Sequence, residues 1–198
     1  MVKPVNKEEK INLLVAVTGA SGSVYAQRFL ERLQHLQHQT ERIAVVFSGS
    51  GKQVWRYELN QEPDSLPWTM YDNHDFFTPP ASGSGYFNTM VIIPCTMGTL
   101  ASIAQGIADD LIARAADVML KERKRLVLVT REMPLNLIHI RNMERVTLAG
   151  GIVCPASPSF YSMPENITEV VDTVVTRALQ LAGFSFPTYG WGEPEAKP

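Results

Sequence analysis

Cysteine is scarce in this 198-residue chain, which has two, Cys95 and Cys154. Two thiols make neither a metal-ligand set nor a disulfide framework, so a reducing compartment, the cytoplasm, is the expected setting. Long apolar runs are also missing. The run from Ile11 to Val17 is far too short to span a bilayer, and the ten residues ahead of it, MVKPVNKEEK, are polar and charged. Neither a membrane partner nor a secretory signal is therefore expected. Nor is there an excess of charge of one sign: 18 Lys and Arg stand against 20 Asp and Glu, a formal net charge of −2. That balance gives no reason to expect a nucleic-acid partner, and leaves room for a local cationic pocket holding a small anion. The chain lacks GxGxxG, the Lys-Ser/Thr of a P-loop, any internal repeat, and any His/Cys/carboxylate grouping at metal-site spacing, so no metal is expected.

What is present is core-forming. Apolar residues make up 45% of the chain, enough at this length for one domain with a sizeable core. Continuous runs rich in Val, Ile and Leu predict buried strands at Ile11–Thr18, Arg42–Ser48, Met90–Pro94 and Arg125–Thr130, with a weaker one at Gly151–Cys154. Helical spacing predicts helices at Val24–Leu36, Gly51–Glu58, Thr99–Ala104, Asp109–Glu122, Leu135–Ala149 and Ile167–Leu181. Strands alternating with helices imply an α/β fold with a mainly parallel sheet covered on both faces. The Pro-, Gly- and aromatic-rich stretch from Asn60 to Asn88 breaks the rhythm and reads as a long functional or mobile loop. One domain is expected over 11–183, with a flexible tail at 1–10 and an irregular tail at 184–198.

Open parallel sheets bind ligands at the carboxyl ends of their strands. Those ends carry Gly19-Ala20-Ser21-Gly22, Ser48-Gly49-Ser50-Gly51, Cys95-Thr96-Met97-Gly98-Thr99, Arg131-Glu132 and the segment PASPSFY from Pro155 to Tyr161. Small residues with hydroxyls and free N–H groups at helix starts suit a phosphate. GASG alone reads as a tight turn that needs glycine. Three such ends on one sheet edge point instead to a mononucleotide with one phosphate.

Candidate cations and acids carry ordinary alternatives. Arg114 and Lys121 share one edge of a predicted helix. Asp117 and Glu122 are near enough in sequence to pair with them on a solvated face. Arg177 fits a surface charge, Glu58 a helix end, Glu132 the acid of a first helical turn, Tyr161 a packed phenol, and Asp109-Asp110 a helix cap.

Together these segments resemble one family. TGASGSVYAQRFLERL, PPASGS, PCTMGTLASIAQGIADDLIARAADVMLKERKRLVLVTREMPLNLIHIRNM and PASPSFYSMP are similar to the UbiX/Pad1 flavin prenyltransferases from about Ile11 to Gly183. The resemblance implies a flavodoxin-like (Rossmann-like) three-layer α/β sandwich binding FMN. It implies transfer of a dimethylallyl group, usually from dimethylallyl phosphate, to N5 and C6 of reduced FMN without a metal. The prenylated FMN would serve a UbiD-type decarboxylase. Family sites are completed by neighbouring subunits of a homo-oligomer, commonly a dodecamer.

By position, the resemblance assigns Gly19, Ala20, Ser21, Ser48, Thr96, Met97, Gly98, Thr99 and Arg131 to FMN, with the Ser21 hydroxyl near N5. It assigns Lys121, Tyr161 and Arg177, supported by Arg114, to the substrate phosphate, and Glu58 and Glu132 to the reacting atoms. The residue types suit the chemistry: cations and a phenol stabilise the charge left on departing phosphate, and an aromatic face stabilises an allylic cation. A magnesium-dependent prenyl diphosphate enzyme would carry DDxxD motifs, which are absent. Three positions depart from the common family pattern: Phe76 stands where many members have Trp, Gly49 where Lys is common, and Thr96 where Ser is common. An FMN-dependent cysteine decarboxylase, the neighbouring group, would show PASANT and PxMNxxMW, neither of which occurs. An FMN-binding carrier would need the flavin-binding strand ends without the phosphate-binding residues.

Overall fold

Every residue of the first strand, β1 (Ile11–Val17), is buried, because its two faces serve two different cores. Leu13, Val15 and Val17 join one cluster, while Leu14 and Ala16 join the other. The same division recurs in β4 (Thr89–Cys95), where Val91 and Ile93 oppose Met90 and Ile92, and in β5 (Arg125–Thr130), where Val127 and Val129 oppose Leu126 and Leu128. Burial on both faces is why these segments read as continuous rather than alternating apolar runs.

The computed structural model describes residues 10–188. The expected tails at 1–10 and 184–198 fall outside those residues except for Lys10 and 184–188. Of the latter, Phe184 is buried in the core and Ser185 is held by the Gln39 side chain.

With β2 (Thr40–Phe47), β3 (Thr69–Tyr71) and β6 (Ile152–Pro155), the strands form one all-parallel sheet in the order β3-β2-β1-β4-β5-β6. Helices α1 (Ser23–Leu33), α2 (Gly49–Leu59) and α6 (Ile167–Ala182) pack on one face. Helices α3 (Met97–Gln105), α4 (Leu111–Lys121) and α5 (Leu137–Leu148) pack on the other. The result is the three-layer α/β sandwich of the flavodoxin-like class. The chain winds outward from β1 to β2 and β3, then returns to build β4, β5 and β6 on the other side, so the crevice between β1 and β4 is the topological switch point.

The stretch from Asn60 to Asn88 is not all loop: Thr69–Tyr71 adds the edge strand β3 beside β2, and short 3-10 turns form at Pro63–Ser65 and Pro79–Ala81. Three residues at a sheet edge, after Pro67 and Trp68, carry too little β pattern to be read locally. Asp110 caps α4 by accepting from the Ala113 N–H at 2.8 Å, the ordinary reading of Asp109-Asp110. Among the described residues, no helix is long and apolar enough to cross a membrane, and no group of three or more His, Cys, Asp or Glu could hold a metal ion.

Candidate active site

The carboxyl edge of the sheet gathers the first group of expected residues. Gly19 follows β1 closely, and a Cβ there would lie 2.4 Å from Ser50 Oγ and 2.5 Å from Ser50 Cβ. The turn after β1 therefore passes directly against the turn after β2, which only glycine permits. Gly22 caps α1 at φ 108°, a left-handed conformation that disfavours any side chain.

The start of α1 carries its own anion. Glu58, near the end of α2, accepts from the Gly22 N–H at 3.1 and 2.9 Å and from the Ser23 N–H at 2.7 Å. Burial alone would raise the Glu58 carboxyl pKa. The Ser21 hydroxyl and the N–H groups of Ser23 and Gly22 outweigh it and hold the group below the usual carboxylate range. The helix-end reading of Glu58 is thus incomplete: its carboxylate crosses to the turn after β1 and takes the Ser21 hydroxyl as a donor.

The starts of α2 and α3 are different. Ser48 Oγ accepts from the Gly51 N–H at 2.9 Å, and Thr96 Oγ1 accepts from the Thr99 N–H at 3.0 Å. Each cap satisfies one N–H and leaves the preceding ones, on Gly49 and Ser50 and on Met97 and Gly98, directed outward at the same edge. These residues fit a flavin mononucleotide: the packing of Gly19 on Ser50 brings the turn after β1 beside the start of α2, and two open helix starts offer donors to one phosphate. Cys95 lies beside them, but burial pushes its thiol up to about 12, which removes it as a nucleophile at neutral pH.

Arg131, just past β5, donates from Nε to the Ser21 carbonyl at 3.1 Å, so it reaches the turn after β1 across the end of β4. Glu132 is exposed beside it, with one carboxylate oxygen accepting from the Met133 N–H at 3.2 Å. Ser21, Glu58, Arg131 and the caps at Ser48 and Thr96 thus share one edge.

The second group is divided: Lys121 and Arg114 belong to α4, whereas Tyr161 follows β6 at the carboxyl edge and Arg177 lies near Cys154 of β6. Lys121 is the last residue of α4, four residues before β5 begins, so it lies at the amino edge of the sheet, opposite Ser21 and Thr96. It pairs with Glu122 against Gly83, where a Cβ would meet both side chains. Arg114 donates to the Ala81 carbonyl at 3.1 Å and pairs with Asp117 at 2.7 Å. The pairings suggested by sequence spacing are present, and they pin the segment PPASGS to α4.

Phe76 lies partly exposed on the segment between β3 and β4. Tyr161, in the segment after β6, is 67% exposed, which rules out the packed-phenol reading. Arg177 of α6 contacts Gln180 at 3.3 Å and lies near enough to Cys154 of β6 to oppose the burial that raises its thiol. One chain therefore does not bring Lys121 together with the flavin edge. A cleft of about 270 Å³ at the amino edge, lined by Leu120, Arg123, Lys124 and residues 147–151, shares nothing with the candidate site.

One residue of this edge, Thr18, was not among those expected at the site, and a second, Ser50, was expected only as part of the turn Ser48-Gly49-Ser50-Gly51. Ser50 matters through its contact with Gly19, and Thr18 through hydrogen bonds to β4. The available signal for Thr18 was a hydroxyl terminating an otherwise apolar strand.

Comparison with known proteins agrees with this architecture. The family model described as Flavoprotein matches residues 1–179. The flavin prenyltransferase UbiX of Thermoplasma acidophilum is 45% identical over 176 residues, covering 87% of this chain and 95% of its own. The crystal structure of AnUbiX (PadA1) in complex with FMN and dimethylallyl pyrophosphate has a TM-score of 0.86 at 38% identity, covering 92% of this chain and 98% of that one. The dodecameric FMN-dependent UbiX-like decarboxylase from Escherichia coli O157:H7 has a TM-score of 0.84 at 36% identity, covering 91% and 99%. On these matches the chain belongs to the Flavoprotein family and, within it, to the UbiX flavin prenyltransferases.

Proposed function

We propose that this protein is a prenyltransferase that joins a dimethylallyl group from dimethylallyl phosphate to N5 and C6 of reduced FMN, and that it supplies the product to a UbiD-type decarboxylase. The observation that carries the reading is the edge where Arg131 holds the Ser21 turn beside two open helix starts, in a chain 45% identical to a flavin prenyltransferase. The AnUbiX structure, which contains FMN and dimethylallyl pyrophosphate, supports the pairing of flavin with prenyl donor, and the dodecameric relative supports a homo-oligomer, with twelve subunits as the expected count. A cytoplasmic location accords with this chemistry.

Reduced FMN, once bound, supplies the nucleophilic nitrogen and carbon to which the prenyl group attaches. The chain's own residues do the rest. Gly19, Ala20, Ser48, Thr96, Met97, Gly98, Thr99 and Arg131 hold the flavin. Glu58, kept ionised at the start of α1, orients the Ser21 hydroxyl towards N5 and adds negative potential that favours an allylic cation. Glu132, exposed beside Arg131, would give a proton to the middle carbon of the prenyl double bond as the tertiary carbon bonds to C6, and take back the proton that C6 then loses. Lys121, Tyr161, Arg177 and Arg114, contributed across subunits, stabilise the departing phosphate without a metal. Phe76 offers an aromatic face to the allyl fragment, a weaker one than an indole.

The test is anaerobic incubation of the protein with reduced FMN and dimethylallyl phosphate, followed by mass spectrometry of the flavin. The expected product is heavier by one C5 unit. Flavin recovered unchanged from protein that has bound it would overturn the assignment.

A further inference from the structure

We infer that Thr18 is a positioning residue for the flavin site, latching the turn after β1 to the start of α3. The pairing of β1 with β4 ends at Ala16 and Ile92, before either strand reaches the ligand edge. Beyond that point β4 carries Pro94, which has no N–H to donate, and the β4–β5 register shifts between Ile92 and Cys95. Beyond Ile92 the backbone ladder is held by one long bond, from the Thr18 N–H to the Pro94 carbonyl at 3.3 Å, with no return bond from Pro94.

The Thr18 side chain reinforces the junction. Its hydroxyl donates to the Pro94 carbonyl at 2.8 Å and accepts from the Thr96 N–H at 2.9 Å, while the Thr18 N–H reaches the same carbonyl at 3.3 Å. At 2% exposure Thr18 is shielded from water that could substitute for these bonds. Thr96 in turn caps α3, accepting from the Thr99 N–H at 3.0 Å and donating to the Thr99 hydroxyl at 2.9 Å. Hydrogen bonds from the Thr18 hydroxyl to the Thr96 backbone, and from the Thr96 hydroxyl to Thr99, thus fix the outward N–H groups of α3 relative to Gly19 and Ser21. Donors that bind a ligand from two separate turns are effective only when the turns hold their spacing.

This inference rests on the reading above for the identity of the ligand. Its test is titration of the full-length protein with oxidised FMN, followed by flavin fluorescence, for the wild type, Thr18→Val and Thr18→Ser. The titration reports affinity and stoichiometry separately. A purely structural loss lowers the fraction of competent protein, whereas a lost latch weakens the Kd of the protein that is folded.

Thr18→Val keeps the shape and removes the hydroxyl, and should weaken FMN binding by about tenfold or more. Thr18→Ser should stay within about twofold of the wild type, because it keeps the hydroxyl. Equal Kd values for wild type and Thr18→Val overturn the latch. If Thr18→Val does not fold, the serine variant decides: a tenfold loss there would assign the effect to the methyl group and overturn the latch. A wild-type protein that binds no FMN would instead sink the functional reading.

Discussion

The Nε–H of Arg131 lies 3.1 Å from the carbonyl oxygen of Ser21, so the end of β5 is bonded to the turn after β1 although β4 lies between them. A backbone carbonyl held by a guanidinium cannot rotate freely, and the conformation of Gly19-Ala20-Ser21 is set from across the switch point. Arg131 thus does two things at once. It shapes the backbone cradle, and it leaves its remaining N–H donors and its charge at the edge where an anionic flavin would lie.

Replacing Arg131 by Ala should therefore weaken FMN binding by about tenfold to a hundredfold, the range for losing a charge-assisted hydrogen bond. Arg131→Lys should recover little of it, because a point charge cannot hold the Ser21 carbonyl and face the flavin together. Fluorescence titration with FMN measures both. A lysine variant that binds like the wild type would show that charge alone matters.

Glu58 makes stability depend on pH in one direction. Its folded-state pKa is depressed, so its contribution is fully present above the ordinary value of about 4.3 and is lost as pH falls through the folded value. Glu58→Gln removes the charge that the Gly22 and Ser23 N–H groups and the Ser21 hydroxyl stabilise. The gap in melting temperature between wild type and Glu58→Gln should widen as pH rises from 3 towards 6, with the wild type the more stable. Thermal melts at a series of pH values give the answer, and a gap independent of pH would remove Glu58 from this role.

Lys121 and Ser21 stand at opposite edges of one sheet, yet the proposed reaction needs the prenyl phosphate and the flavin in contact. The conflict disappears when Lys121 of one copy serves the flavin edge of another. Lys121→Ala and Arg131→Ala proteins should each prenylate poorly alone. Co-expressed, they should recover part of the rate, because mixed oligomers contain sites in which both residues are intact. Mass spectrometry of the flavin product follows the recovery. A co-expressed pair no better than the single variants would mean that both groups must come from one chain.

The parts of the fold legible in sequence were those whose signal is local. Leu13 to Val17 and Leu126 to Val129 are apolar because both faces of the sheet are covered, and covered strands look the same in any parallel sheet. β3 was not legible, since Thr69–Tyr71 is a strand only because β2 lies beside it. The site divided in the same way. The caps at Ser48 and Thr96 could be read from the hydroxyls at helix starts. The pairing of Glu58 with Gly22, 36 residues away, and the latch from Thr18 to Thr96, 78 residues away, exist only after folding. The separation of Lys121 from Ser21 is topological: a helix leaving the carboxyl edge of a parallel sheet must end at the amino edge.

The surface beside Arg131 extends that argument to assembly. Of the residues in α5, only Asn142 and Val146 are buried, while at its first turn Leu137 is 59% exposed, Ile138 67% and Ile140 51%; Met133, just ahead of the helix, is 85% exposed. Single exposed apolar residues are ordinary, but a contiguous set beside a ligand edge marks an interaction surface. A second copy is the occupant that also answers the position of Lys121. Covering each such side chain contributes about 1.5–3 kcal/mol, so a charge placed among them should be costly to assembly and nearly neutral to the protomer's own core. Ile138→Asp should therefore sediment as a smaller species than the wild type with an unchanged circular dichroism spectrum. It should also lose prenylation more severely than FMN binding, because the flavin edge lies on one chain whereas the proposed site draws Lys121 from a second copy. An Ile138→Asp protein that sediments like the wild type would place the subunit contact elsewhere.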